Sequence, residues 1–279
     1  MSVFPARDGT KLAYHVLGEG TPVVCLPGGP MQDSAYLGDL GGLSGRLQLI
    51  LSDSRGTGRS ETPVDTGSYR CDHLVNDVEA LREHLGLDRI DLLAHSAGTN
   101  VAAMYAARYP ECIGNLVLIT PSTRAVGIIA TPEMRREVVQ LRAGEPWFVQ
   151  GSAAFEAIQA EQATHDDWEA ITPFTYGRWD AAARAHHASG DRQRNEKAAA
   201  VFGAEGAFDP PATRAALASF GEPVLLLAGE LDVAAPPSVV AELAGLFPNA
   251  RLVTQPRGGH FPWLDDPVWF STTVAAFLQ

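Results

Sequence analysis

The sequence predicts an α/β fold, a mostly parallel sheet covered by helices on both faces. Short apolar runs alternate with helix-like stretches, as strands and crossover helices do. One such run, Ile90 to Leu93 (broken by Asp91), enters the small-residue turn Ala94-His95-Ser96-Ala97-Gly98 and continues into helix-like Val101 to Ala107. Ser96, Asp232 and His260 follow one another in that order, each just beyond a predicted strand, where the loops at the carboxyl ends of a parallel sheet converge.

Composition narrows the class. A chain of 279 residues that is 46% hydrophobic can bury a large core, as one domain or one domain with an insertion. Its net charge of −12 argues against nucleic-acid or anionic-membrane partners. No apolar run approaches the roughly 18 residues of a membrane span. The first residues have no apolar stretch of the secretory kind, so a cytoplasmic location is expected. Cys25, Cys71 and Cys112 are odd in number and lack metal-type spacing, which fits reduced thiols.

In chain order, Lys11 to Leu17 reads as an early hairpin strand turned by Gly18-Glu19-Gly20. Pro22 to Leu26 reads as a core strand running into Pro27-Gly28-Gly29-Pro30. Glycine lets a backbone N–H approach a reacting carbonyl closely. Because Pro30 has no N–H, Gly29 is the expected donor. Leu47 to Leu51 is the next strand, followed by the polar loop Asp53-Ser54-Arg55-Gly56-Thr57-Gly58-Arg59-Ser60. That loop lacks the G-x-x-x-x-G-K-[ST] spacing of a phosphate cradle. It reads instead as a structured loop in which Asp53 pairs with Arg55 or Arg59.

Asp72 is placed to cap a helix whose Leu74, Val78, Leu81 and Leu85 share one face. After the Ser96 turn, Asn115 to Thr120 is the next strand. Residues 121–220 lack apolar strands and read as a helical insertion, with helices over Pro132 to Arg142, Ala153 to Gln162 and Trp179 to Ala188. Residues 1–120 and 221–279 make the core domain. The closing elements are a strand at Val224 to Ala228, a helix at Pro236 to Phe247, a strand at Ala250 to Thr254 and a helix at Pro267 to Leu278.

A serine on a sharp strand-to-helix turn has its hydroxyl pushed out at the sheet's carboxyl end, with the next N–H aimed at the same spot. The alternative is that Ser96 only caps the following helix. The order Ser96, Asp232, His260 favours a nucleophile, a carboxylate that orients the base, and the base itself. Glu230 is the rival acid.

These motifs resemble the α/β-hydrolases, and within them the proline iminopeptidase group of serine aminopeptidases. The residues behind the resemblance are Pro27-Gly28-Gly29-Pro30, Asp53 to Ser60, the Ser96 turn, Asp232 and Gly259-His260. The resemblance implies an eight-stranded sheet, a helical cap over 121–220, Ser96 as nucleophile, His260 as base and Asp232 as orienter. It also implies an oxyanion hole from the N–H groups of Gly29 and Ala97, and no cofactor or metal. The chain departs from the group's pattern at Pro27, Met31, Ala94 and Ala97. In the cap the group's W-x-x-W-E, whose glutamate holds a substrate amine, is matched only by His165-Asp166-Asp167-Trp168-Glu169. A Trp-Glu pair in an acidic helix is also an ordinary surface feature.

The expectation is therefore an enzyme cleaving an ester, lactone, thioester or amide of a small, mainly apolar molecule, with Glu169, Trp168 and Trp263 as candidate substrate contacts. An aminopeptidase is the named candidate. A tailoring enzyme acting on a neutral natural-product intermediate and a noncatalytic small-molecule receptor are the alternatives. No feature specifies an oligomeric state.

Overall fold

The structure, a computed structural model, describes residues 1–279 except for the side chain of Asp191. Eight strands form one sheet in the order β1-β2-β4-β3-β5-β6-β7-β8. They are β1 Ser2–Pro5, β2 Lys11–Leu17, β3 Pro22–Leu26, β4 Gln48–Ser52, β5 Ile90–His95, β6 Ile113–Ile119, β7 Val224–Gly229 and β8 Ala250–Gln255. The β1–β2 and β2–β4 pairs are antiparallel; every other pair is parallel.

The central positions of strands β3 to β7 are apolar and buried because both faces of the sheet are covered there. Alternate residues go to opposite layers. Val24, Leu26, Leu92, Ala94, Leu116, Leu118 and Leu226 join one buried cluster. Val23, Cys25, Leu93, Val117, Ile119, Leu225 and Leu227 join the other. Helices α1 (Cys71–His84) and α2 (Gly98–Arg108) pack on the first side through Leu74, Val78, Val101 and Tyr105. The C-terminal helix covers the second through Phe270, Val274 and Leu278.

Several local expectations need correction. Strand β2 forms its hairpin with β1, which the sequence reading did not foresee; β3 pairs with β4 and β5 instead. Helix α1 begins at Cys71, so Asp72 lies in its first turn and pairs with Arg70 (2.7 Å) rather than capping it. In the polar loop, Asp53 pairs with neither arginine side chain. It accepts hydrogen bonds from Ser34 N and Oγ and from the Arg59 N–H, and meets His15 Nε2 at 3.0 Å. The Arg55 guanidinium turns the other way, to Asp8 (2.7 Å) and Asp77. At 4% exposure it needs charge compensation on both sides.

Between β6 and β7 the chain is helical: α3 Pro132–Gln140, α4 Phe148–Gln159, α5 His165–Ala170, α6 Ala181–Gln193, α7 Glu196–Phe202 and α8 Pro210–Leu217. All three expected helices shift at their ends, and α5, α7 and α8 are additional. Alanine-rich, weakly periodic sequence marks such boundaries poorly. Val138, Val139, Phe155 and Phe174 form a small core of their own there with Val233. The chain closes with α9 Pro237–Ala244, α10 Pro262–Asp265 and α11 Pro267–Leu278.

Candidate active site

The turn after β5 holds Ser96 at φ 51°, a left-handed conformation uncommon for a residue with a side chain. It is sustained by close packing. Ser96 N–H donates to Ile119 O (3.0 Å), and Ser122 N–H donates to Ser96 O (3.1 Å). A Cβ on Gly98 would overlap the carbonyl oxygen of Pro27, so this position must be glycine. Ala94, the departure at the other end of the turn, is fully buried on β5 and its methyl is accommodated.

Loops after β7 and β8 bring two more side chains to the turn. Ser96 Oγ lies 2.8 Å from His260 Nε2, and His260 Nδ1 lies 2.8 Å from Asp232 Oδ2. The carboxylate is fully buried, and its other oxygen accepts the N–H groups of Ala234 (2.8 Å) and Ala235 (3.1 Å). An ionised carboxylate only accepts, so Nδ1 carries the ring proton and Nε2 is free to accept the serine proton. Glu230 faces elsewhere; its carboxylate accepts the Arg257 N–H.

Gly29 and Ala97 line the same cavity as Ser96 and His260. Among the described residues, neither N–H finds an acceptor within the chain. The cavity holds about 440 Å³ and is walled by Asn100, Ile128, Arg135, Phe202 and Val239. A second cavity of about 560 Å³ shares Ala130, Arg135 and Ala234 with it and is lined by Phe155, Ile158, Trp168, Ile171 and Phe174.

The three expected substrate contacts are not brought to Ser96. Glu169 is 73% exposed and meets only His165, at 3.5 Å one turn away on α5. Trp168, 58% exposed, lines the second cavity. Trp263 is 2% exposed, its ring edge-on to His95 at 4.8 Å, and it belongs to the core. An acidic amphipathic turn presents its carboxylates to water, and a tryptophan after β8 falls between the sheet and α11.

Sequence reasoning missed a chain of hydrogen bonds behind the site. His95 Nε2 lies 2.8 Å from His260 O, and a carbonyl only accepts, so Nε2 is the donor. Burial, followed by the neighbouring His260, pushes the His95 pKa well below the usual histidine value, so the ring is neutral. Nδ1 is then an acceptor, and Tyr36 Oη (2.7 Å) donates to it. Tyr36 Oη in turn accepts the Gly28 N–H (2.6 Å). The loop carrying Gly29 is thereby tied to the backbone of His260. His95 stood in the serine motif as an unspecified position; no local signal pointed to Tyr36.

The helical segment between β6 and β7 also reaches the site. His260 N–H donates to Thr175 O (2.7 Å), and Arg178 Nη2 donates to Leu264 O (3.0 Å). Cys25 and Cys71 are buried with thiol pKa values pushed up, and Cys112 is also raised by burial, so no thiolate competes as nucleophile. Among the described residues, no group of three or more His, Cys, Asp and Glu is arranged to hold a metal ion. No described helix is long and apolar enough to cross a membrane.

Residues 21–267 match the model of the alpha/beta hydrolase fold family. The chain belongs to the α/β-hydrolase family. It is 30% identical over 262 residues to a protein of Pseudomonas savastanoi pv. phaseolicola that carries the provisional name carbamate hydrolase RutD. That alignment covers 92% of this chain and 94% of the relative. It is 36% identical over 108 residues to the proline iminopeptidase of Heyndrickxia coagulans, covering 39% of this chain. The matched stretch spans only 38% of that enzyme's length. The solved proline iminopeptidase of Mycobacterium smegmatis superposes with a TM-score of 0.76 over 99% of this chain and 97% of that one, at 22% identity, a likeness of fold. These matches place the chain in the α/β-hydrolase family, with similarity to proline iminopeptidases over part of its length.

Proposed function

We propose that this protein is a serine hydrolase that cleaves an ester, lactone, thioester or amide of a small, mainly apolar molecule through an acyl-enzyme. The observation that carries this reading is the pair of 2.8 Å contacts from Ser96 Oγ to His260 and from His260 to Asp232 at the wall of a roomy cavity. Ser96 Oγ bonds to the substrate's carbonyl carbon as its proton passes to His260 Nε2. The N–H groups of Gly29 and Ala97 receive the developing oxyanion. The bond to the leaving group then breaks, and His260 returns the proton to it. Water, deprotonated by the same nitrogen, releases the acid and restores Ser96. Asp232 holds the Nδ1–H tautomer and stabilises the imidazolium.

The position of Glu169 weighs against the aminopeptidase version. A cationic amine in a closed pocket needs a carboxylate beside it, and this one faces solvent. The deciding experiment compares initial rates on a short-chain p-nitrophenyl ester and on proline p-nitroanilide, with Ser96→Ala as control. Serine-dependent ester cleavage with little anilide cleavage is expected. Preferential anilide cleavage would restore the aminopeptidase, and retained hydrolysis in Ser96→Ala would sink the serine mechanism. Ser96 left unlabelled by a fluorophosphonate, with neither substrate cleaved, would favour a receptor.

A further inference from the structure

The wall shared by the two cavities contains a cation with an open edge. Arg135, near the start of α3, points its guanidinium at the loop that carries Asp232. Nη1 donates to Val233 O (2.7 Å), with Ala234 O at 3.4 Å. Among the described residues, no carboxylate lies within ion-pair distance of it, and its Nε and Nη2 find no acceptor. Of the described residues lining the two cavities, none is Asp or Glu. Arg124 is a second cation on the Ser96 side, its guanidinium over the Phe208 ring at 5.3 Å.

Most buried or half-buried arginines of this chain are treated differently. Arg55 has Asp8 and Asp77, and Arg82 has Glu79. Arg135 is half-buried and desolvated, with its charge answered only by two carbonyl dipoles and, at longer range, by Asp232. A half-buried guanidinium that has no carboxylate in contact and lines a cavity is suited to take an anion at its open edge. The open edge is the Nε–H and Nη2–H pair, two parallel donors whose spacing matches the two oxygens of a carboxylate.

We propose that Arg135 selects acyl substrates that carry a carboxylate remote from the scissile carbonyl, binding it through the free Nε/Nη2 edge in the cavity wall while Ser96 attacks the ester or thioester end. The apolar stretch between the two ends runs along the wall that Ala130 and Ala234 share. This assignment rests on the serine-hydrolase reading and deepens it. It also replaces an amine anchor by an anion anchor, the reverse of the charge that Glu169 would have supplied.

The test uses p-nitrophenyl hemi-esters of adipic, suberic and sebacic acids, each beside its neutral methyl p-nitrophenyl diester. For at least one chain length, wild-type kcat/KM should favour the hemi-ester on the order of tenfold or more, the scale of charge-assisted hydrogen bonds. Arg135→Gln should collapse that ratio, and Arg135→Lys should keep part of it. Being a ratio within one preparation, the readout is insensitive to a fraction of unfolded variant. Where an ester is not turned over, the same ratio is read as protection of Ser96 from a fluorophosphonate by the free diacid against its dimethyl ester. No preference at any length in the wild type overturns the proposal. So does a preference that survives in Arg135→Gln, because Arg135 then only braces the Val233–Ala234 loop. Retention of activity in Ser96→Ala would instead fault the serine reading.

Discussion

Tyr36→Phe probes the buried chain that joins the Gly28–Gly29 loop to His260. The substitution removes one oxygen and keeps the ring, whose neighbours Phe261 and Trp263 lie 6.1 and 6.3 Å away, centre to centre. Two partners are orphaned at once: the Gly28 N–H and His95 Nδ1, which stand 2.6 and 2.7 Å from the hydroxyl. Both residues are buried. A buried polar group left unpaired costs about 1–3 kcal/mol, so the two together should lower stability by roughly 2–6 kcal/mol. Urea denaturation should show this as a shift in midpoint at unchanged slope. The loop that presents Gly29 loses its tether in the same step, so kcat should fall, toward the 10²–10³-fold order seen when one oxyanion donor is removed. Tyr176→Phe is the control. Its hydroxyl bonds only to His186 Nδ1, at 2.9 Å, away from Gly28, so it should cost about half as much in stability. A Tyr36→Phe protein within about 0.5 kcal/mol of wild type, with kcat unchanged, would refute the chain as a structural link.

Two further outcomes follow from the packing around the serine turn and the buried histidines. Gly98→Ala drives a methyl into the backbone of Pro27 and Leu26 at the foot of the serine turn. It should cost at least about 2 kcal/mol by thermal or urea denaturation and abolish ester turnover; a near-neutral change would mean the turn is less tightly packed than described. For pH, burial lowers the pKa of both His95 and His186 from the ordinary value of 6.5, so both rings are held neutral in the fold. The unfolded chain takes up those protons as pH drops, so this part of the stability is complete above about pH 6.5 and is lost below it. The slope is up to about 1.4 kcal/mol per pH unit for each ring. Denaturation midpoints that stay level or rise from about pH 7.5 to about pH 5.5 would contradict it.

Much of the core was legible because its signals are local and repeated. A strand covered on both faces is apolar at every position, and Val224 to Leu227 could be little else. That Ser96, Asp232 and His260 meet was legible because each lies in a loop after a strand, and a parallel sheet gathers those loops on one edge. Partner choice was not. Whether Arg55 meets Asp53 or the distant Asp8 and Asp77 depends on the packing of β1 and α1, which no nearby residue reports. The same holds for Tyr36 and His95, 59 residues apart and joined only through the folded interior. For Glu169 the letters of a short motif did not report where the side chain would face, and it faces solvent.

The helical segment between β6 and β7 is attached to the rest of the fold unevenly. Thr175, Arg178, His186, Gln193 and Asn195 are all hydrogen-bonded to core residues: His260, Leu264, Tyr36, Asp33 and, for Asn195, both Met31 and Gly56. Residues 132–171 bond to the core chiefly through Arg135, and otherwise lean on their own small cluster. The chain thus carries a boundary that its linear order does not display. Thr175 onward is stitched into the same fabric as the histidine loop, while α3 to α5 hang from it like a flap on one seam. A chimaera that exchanged 132–171 alone would alter the chamber walls and would have to re-create the Arg135 bond to the loop that carries Asp232, while the His260 amide kept its acceptor. One that exchanged 175–195 as well would have to re-create the carbonyl that receives the His260 amide.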